Sequence, residues 1–153
     1  EISLECSRAG AAAAALWLTL EVLPPSDAAL GQVLLASRRG ALAWADLLEG
    51  SDALAPYQRP DLDIVAYLPR RATMSAVDAA SEALFHAAAA GEPTEQIHLA
   101  TYAVTADALA ARGHEVAHDA AAARILRSTV MKPESAAYVP AIHARLEQLA
   151  AEV

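Results

Sequence analysis

Basic residues and cysteine are both scarce in this sequence of 153 residues. Only 11 residues are lysine or arginine, against 19 aspartates and glutamates, so the formal net charge at pH 7 is −8. Nucleic acids and anionic membrane surfaces bind proteins through a basic footprint, and this charge balance argues against both as partners. The single cysteine, Cys6, cannot form an internal disulfide, which favours a reducing, cytoplasmic compartment.

Long apolar runs are missing as well. The longest run, Ala9–Leu20, is shorter than the roughly 20 residues that a membrane-spanning helix needs. It lacks the charged leader and the cleavage pattern of a signal peptide, so we expect neither a membrane span nor a signal peptide. Because the chain opens at Glu1 rather than at methionine, we expect it to be a piece of a longer protein.

Alanine makes up most of the apolar excess, while aromatic residues are only 5% of the chain. Alanine favours helix but adds little volume to a core. The first predicted helix begins after Ser7, an N-cap residue type, and ends at Pro24 and Pro25. A second helix is predicted from about Asp27 to Leu48, with an apolar side formed by Leu30, Val33, Leu34, Leu42, Trp44 and Leu47.

The rest of the chain alternates between strand and helix patterns. Strands are predicted over 52–57, 62–68, 97–104 and 124–131, and helices over 73–90 and 135–151. The stretch 107–123 fits neither pattern clearly. The order ααββαββα predicts an α+β fold, in which a small antiparallel sheet is covered by helices.

The segment HEVAH, His114–His118, has the spacing of a zinc-hydrolase motif. On a helix the two histidines would share one face and could bind zinc, with Glu115 polarising a bound water. The motif is short, its flanks are rich in alanine, and no convincing third ligand follows it. We therefore interpret His114, Glu115 and His118 as a solvated segment and expect no metal site, with a zinc hydrolase kept as an alternative.

Two arginines are candidates for an anion site. Arg8 falls in the first turn of the predicted first helix, where free backbone N–H groups and a guanidinium converge. Arg127 interrupts a run of strand-forming residues, and a basic side chain within a strand faces either water or a bound anion. From the residues alone, an ordinary exposed arginine is the simpler interpretation of each.

Three segments of the chain, ISLECSRAGAAAAALWLTLEVLP, PDLDIVAYLP and RILRSTVMKPES, resemble the pyridoxal-phosphate-dependent group II amino-acid decarboxylases in the family's order. That family includes glutamate, aromatic amino-acid and tyrosine decarboxylases. The resemblance covers essentially this whole chain but only the C-terminal third of such an enzyme. It implies the C-terminal small domain of fold-type I pyridoxal-phosphate enzymes over residues 51–153, preceded over residues 1–50 by two helices that link it to an absent cofactor domain. Cys6, where relatives often carry glycine, departs from the pattern.

The resemblance also implies an activity, that of a lyase of amino-acid metabolism that releases carbon dioxide from an L-amino acid, with pyridoxal 5'-phosphate as electron sink. In the family a lysine of the upstream domain holds the cofactor. The only lysine here, Lys132, is at a position that the family does not use for it. We therefore expect the chain to be inactive alone, to bind no cofactor covalently, and to work with its missing N-terminal cofactor domain in a homodimer.

The resemblance implies a role in substrate binding for both Arg127 and Arg8. Arg127 matches the arginine of the small domain's late strand that pairs with the substrate's α-carboxylate. Arg8 matches a second arginine that some bacterial glutamate decarboxylases use for a substrate carboxylate. A structural salt bridge near the domain interface remains the alternative for both residues, and a non-catalytic interaction or dimerisation module remains an alternative for the chain. The sequence does not indicate which amino acid is the substrate.

Overall fold

The computed structural model describes residues 10–153, and its helices and strands lie close to the predicted positions. The helices are α1 (Ala11–Val22), α2 (Leu30–Glu49), α3 (Met74–Ala89), α4 (Ala106–Ala110) and α5 (Val139–Glu152). The strands are β1 (Leu54–Pro56), β2 (Ile64–Pro69), β3 (Ala100–Thr105) and β4 (Ala122–Thr129), and a 3₁₀ helix covers Pro133–Ala137. The short α4 and the start of β4 occupy part of the stretch that fits neither pattern.

The strands form one antiparallel sheet in the order β1-β2-β4-β3. The last strand therefore lies inside the sheet, where Leu126 is paired with Tyr67 of β2 on one side and with Thr101 of β3 on the other. The expected α+β class and the small antiparallel sheet are confirmed.

The strand β2 is buried on both faces, which places a core on each side of the sheet. Val65 and Tyr67 point towards α2, α3 and α5, while Ala66 and Leu68 point the other way, because side chains alternate along a strand. The larger core comprises Ala41, Trp44, Leu48, Leu54, Val65, Tyr67, Leu84, Ala88, Leu126, Val130, Val139, Leu146, Leu149 and Ala150. The smaller core comprises Ala55, Tyr57, Ala66, Leu68, Met74, Val77, Val104, Ala106, Leu109, Ala123 and Ile125. The smaller core covers only part of its face, since Ile64 at the start of β2 is 46% exposed.

Helix α2 packs against the 3₁₀ segment through small residues rather than through its leucines. A Cβ on Gly40 would lie 2.8 Å from Val130 Cγ1 and 3.1 Å from Ala136 Cβ, so the two segments are in close contact. The buried residues of α2 as a whole are Ser37, Gly40, Ala41, Trp44, Ala45 and Leu48. The predicted apolar side is therefore only partly right: Trp44 is buried, but Leu34 is 57% exposed.

Helix α1 has no buried residue. Its large apolar side chains, which are 40% to 70% exposed, are Leu16, Trp17, Leu18, Leu20 and Val22. A helix that is apolar all round suits an interior position, so α1 carries a surface that residues 10–153 leave uncovered. No helix of this range has both the length and the apolar character needed to cross a bilayer.

Candidate functional site

Arg127 lies on β4 between two alanines of the neighbouring strands. It is paired with Ala66 on β2 and with Ala100 on β3, so the three side chains share one face of the sheet. An alanine methyl group cannot cover a guanidinium, and Arg127 is exposed. Its side chain is thus accessible on the part of this face that the smaller core leaves uncovered.

A concave pocket of about 440 Å³ surrounds this arginine. Its wall is the loop before β2, represented by Gln58 and by residues 60–63, and the rest of its lining comes from Ile64, Ala66, Tyr102 and Arg127. The volume falls in the range of pockets that hold a small organic molecule. The sequence does not reveal this pocket, because its wall and its floor come from separate parts of the chain.

The loop wall is held in place from two sides. Arg38 of α2 donates from Nε to the carbonyl oxygen of Asp61 at 2.9 Å. The backbone N–H of Val130 donates to the carbonyl oxygen of Asp63 at 2.8 Å. Both hydrogen bonds are accepted by backbone carbonyl oxygens, so neither bond uses an aspartate carboxylate.

Of the polar run Ser37–Arg39 on α2, Arg38 and Arg39 are exposed, whereas Ser37 is not. Ser37 is buried and donates to the carbonyl oxygen of Met131 at 3.0 Å. It joins α2 to the chain that leaves β4, across 94 positions of sequence. No local signal could have predicted that contact.

Tyr102 stands beside Arg127 in the pocket. Burial, and then the neighbouring Tyr57, raise the pKa of Tyr102 above its ordinary value of 10.0, while Arg112 and Arg127 act in the opposite direction. The phenol is therefore protonated at neutral pH and available as a hydrogen-bond donor. A guanidinium and a phenol O–H in one pocket form a donor set for a carboxylate.

The ring of Tyr57 packs against the ring of Tyr102. The two ring centroids are 6.0 Å apart and the planes are at 79°, an edge-to-face contact. The guanidinium carbon of Arg112 lies 4.5 Å from the Tyr57 centroid, in a cation–π contact. Tyr57 itself is only 7% exposed, so this aromatic support is fixed within the smaller core.

His114–His118 is not helical, and only Ala117 within it takes part in a β-bridge, so the helix on which a zinc site depends is missing there. Gly113, with φ +81°, ends the turn after α4, and Ala117 is held by backbone bonds with Ala72 and Met74 at 2.8 Å and 3.0 Å. His114 bonds from Nε2 to the carbonyl oxygen of Tyr57 at 2.9 Å. Among residues 10–153, no three His, Cys, Asp or Glu side chains are grouped to hold a metal ion.

Lys132 is exposed at the N-terminus of the 3₁₀ helix and takes no part in lining the Arg127 pocket. Since it is the only lysine of the sequence, the residues that form the pocket do not fit a covalent pyridoxal-phosphate site. Arg8, the second candidate, lies outside the described residues.

No protein-family model and no curated protein matches this sequence. Among solved structures, the chain is similar in fold to a decarboxylase domain. That structure is the glutamate decarboxylase domain of diaminobutyrate-pyruvate transaminase and L-2,4-diaminobutyrate decarboxylase from Vibrio parahaemolyticus, with a TM-score of 0.58 and 18% identity. The alignment covers 90% of this chain and 25% of that chain, so this chain spans about a quarter of its neighbour's length. The likeness is one of fold, and the α+β architecture is consistent with a small domain of such a decarboxylase.

Proposed function

We propose that this chain is the C-terminal part of a pyridoxal-phosphate-dependent L-amino-acid decarboxylase, a carbon–carbon lyase. In this proposal residues 51–153 are the small domain, and residues 1–50 link it to an upstream cofactor domain in a homodimeric enzyme. The fold likeness to a decarboxylase domain supports the proposal. The three segments that resemble the family in its order support it separately.

The observation that carries the proposal is the accessible guanidinium of Arg127. Among residues 10–153, no carboxylate forms an ion pair with it. A planar guanidinium binds a carboxylate through two parallel hydrogen bonds, which orient the bound group as well as hold it. In the proposed enzyme Arg127 binds and orients the substrate's α-carboxylate, the group that is lost as carbon dioxide. Arg8 is the proposed second contact to substrate.

The cofactor belongs, in this proposal, to the part of the enzyme upstream of this chain. Pyridoxal phosphate, when bound there, supplies an electron sink for the electrons of the broken bond. Because the pocket has no lysine, the chain alone is expected to be inactive and colourless.

The experiment compares the isolated chain with the longer protein that the proposal expects its open reading frame to encode. Both are incubated with stoichiometric pyridoxal phosphate, reduced with borohydride and mapped by mass spectrometry, and carbon dioxide release is measured over a panel of L-amino acids. We expect a reduced adduct on an upstream lysine and carbon dioxide release in the longer protein, and neither in the isolated chain. A borohydride-stable adduct on Lys132, or a longer protein that binds no cofactor and releases no carbon dioxide, would contradict the proposal.

A second candidate function is a non-catalytic interaction or dimerisation module, and helix α1 favours it. Leu16, Trp17 and Leu18 are 57% to 64% exposed, which is a surface for another protein rather than for water. Under the first proposal this surface packs on the cofactor domain. A longer open reading frame with cofactor binding supports the decarboxylase, whereas an assembly that forms without any cofactor domain supports the module.

A further inference from the structure

The hydroxyl of Tyr102 forms no hydrogen bond with any residue of the range 10–153. The hydroxyl of Tyr67, the buried tyrosine of β2, is by contrast bonded to the hydroxyl of Ser128 at 3.0 Å. Tyr102 is half-buried, and it lines the Arg127 pocket. Its hydroxyl is therefore available to a group that enters this pocket.

Tyr102 and Arg127 are diagonal neighbours on one face of the sheet. The register pairs Tyr102 with Ile125 and Arg127 with Ala100, so the two residues are two positions apart across the pair of strands. Residues in this relation are separated by about 7 to 8 Å, which long and aromatic side chains can span. A group as small as a carboxylate can therefore contact both side chains at once.

The cations around the phenol cannot accept its hydrogen. Arg112 and Arg127 both lie close enough to act on the pKa of Tyr102, and a guanidinium has five N–H donors and no acceptor. Asp61 and Asp63 line the same pocket, but neither forms an ion pair with Arg127. The phenol O–H and the guanidinium of Arg127 are thus two donors in one cavity, and a ligand that satisfies both must be an acceptor.

The ring of Tyr102 is held before any ligand arrives. It packs edge-to-face on Tyr57, with 6.0 Å between the ring centroids, and Tyr57 is buried in the smaller core. A ring that is already held loses little conformational freedom when its hydroxyl binds a ligand. The hydroxyl of Tyr102 is thus a preorganised donor.

We propose that the Tyr102 hydroxyl donates a hydrogen bond to the same α-carboxylate that Arg127 binds, which makes Tyr102 a further substrate-binding residue. This inference rests on the proposed decarboxylase function. The two parallel bonds of a guanidinium use one acceptor site on each carboxylate oxygen, and a further site on one oxygen remains for the phenol. Arg127 fixes the plane of the carboxylate, and Tyr102 adds to the strength of binding.

The experiment compares the parent with Tyr102→Phe, which removes the hydroxyl and keeps the ring that packs on Tyr57. The control is Tyr138→Phe, because Tyr138 is 62% exposed and does not line the pocket. Thermal unfolding of the three proteins confirms equal folding.

Binding to the 153-residue chain is measured first, with L-norvaline and with L-norvalinamide, in which an amide replaces the carboxylate. It is followed through the backbone amide signals of positions 102 and 127 as each probe is added. In the longer, cofactor-loaded protein, kcat and KM are then measured by carbon dioxide release with its best L-amino-acid substrate.

We expect Tyr102→Phe to weaken norvaline binding about 10-fold, as for the loss of a hydrogen bond to a charged group, and to leave norvalinamide binding unchanged. In the longer protein KM should rise by a similar factor while kcat changes less, because the guanidinium of Arg127 still orients the carboxylate. Tyr138→Phe should match the parent in every measurement.

Three results separate this inference from the decarboxylase proposal. Parent-like norvaline binding and KM in Tyr102→Phe, or an equal loss for norvaline and norvalinamide, would remove the hydroxyl contact and leave the decarboxylase proposal intact. If the longer protein decarboxylates no L-amino acid but Tyr102→Phe still weakens norvaline binding, the decarboxylase proposal fails and the contact with a carboxylate remains. If the 153-residue chain binds neither probe, KM of the longer protein decides by itself, and an unchanged KM overturns the inference.

Discussion

Arg124 and Arg127 lie on the same strand, β4, and point to opposite faces of the sheet. The register places Arg124 opposite Ala103 and Arg127 opposite Ala100, three positions along the strand, an odd step that reverses the side-chain direction. Arg124 meets α3, where it binds Asp78 at 2.6 Å and Glu82 at 2.8 Å. One arginine thus fastens a helix to the sheet, and the other stays accessible for a ligand.

The Arg124 contact predicts a loss of stability in acid. Hydrogen bonds from Arg124 lower the pKa of Asp78 from its ordinary value of 3.8 to about 2. The folded state therefore binds fewer protons than the unfolded state in this range. The resulting stabilisation is fully present above about pH 4 and is lost as the pH falls towards 2. Urea unfolding of the parent between pH 5 and pH 2 should show this decline.

Asp78→Asn should flatten that decline and cost about 1 kcal/mol at pH 7, since solvent screens a pair that is about a third exposed. Asp107→Asn is the matched control. An identical pH dependence in the parent and in Asp78→Asn would show that this pair does not contribute.

Gly40 predicts a steric effect at the contact between α2 and the 3₁₀ segment. Gly40→Ala should destabilise the fold by about 1 to 3 kcal/mol, because the new methyl group would lie 2.8 Å from Val130 Cγ1. Gly50→Ala is the control, since its Cβ would meet only Leu47 and Asp46 oxygens at 3.7 Å and 3.9 Å. Equal unfolding free energies for the two variants would argue against a close contact at Gly40.

The buried side chain of His143 should make the folding stability depend on pH a second time, near neutrality. Burial lowers its pKa from the ordinary value of 6.5, while Glu147, 3.7 Å away, acts in the opposite direction. Protonation therefore favours the unfolded state, so stability should fall as the pH decreases below 6.5. His143→Leu should remove this dependence and stabilise the fold by about 1 kcal/mol, because no described group bonds to the buried Nδ1 atom. His98→Leu, at an exposed site, serves as control, and a parent with flat stability from pH 7 to pH 5 would contradict the prediction.

The exposed side chains of α1 predict self-association of the isolated chain. Trp17 is 64% exposed and Leu20 40% exposed. Sedimentation over a wide concentration range should show dimers or larger species, and the double variant Trp17→Ser, Leu20→Ser should shift the distribution towards monomer. A strictly monomeric parent chain would argue against an interaction surface on α1.

The sequence was informative where a pattern is local. Runs of strand-forming residues in LDIVAYL and RILRSTVM predicted β2 and β4, and the period of two along a strand places Arg124 and Arg127 on opposite faces. It could not tell which face the helices cover, because that depends on the strand order β1-β2-β4-β3. The contact between α2 and the 3₁₀ helix was equally hidden, since Gly40 and Ala136 are far apart in sequence.

The segment His114–His118 was misleading because its conformation depends on contacts with a distant part of the chain. Its i, i+4 histidines fit a helical motif, but the backbone N–H and carbonyl of Ala117 bond to Ala72 and Met74 instead of to helical partners. The pocket wall at Asp61 and Asp63 carried no signal at all, because two aspartates in a loop have the composition of ordinary surface.

Arg127 tests the central claim most directly. Lysine keeps the positive charge but loses the planar fork, so Arg127→Lys in the longer, cofactor-loaded protein should lower kcat/KM by about 30-fold to several thousand-fold, which corresponds to about 2 to 5 kcal/mol. Part of the loss should appear in kcat, since a misoriented carboxylate slows the chemical step. Arg8→Lys should be milder, and Arg39→Lys, at an exposed position of α2, should have no effect.

The decisive measurement is kcat/KM of Arg127→Lys beside the parent, with the cofactor absorbance of both recorded to confirm equal loading. The proposed role of Arg127 predicts a loss of at least about 30-fold with unchanged absorbance. Parent-like kinetics with full cofactor loading would contradict it and leave Arg127 a structural residue.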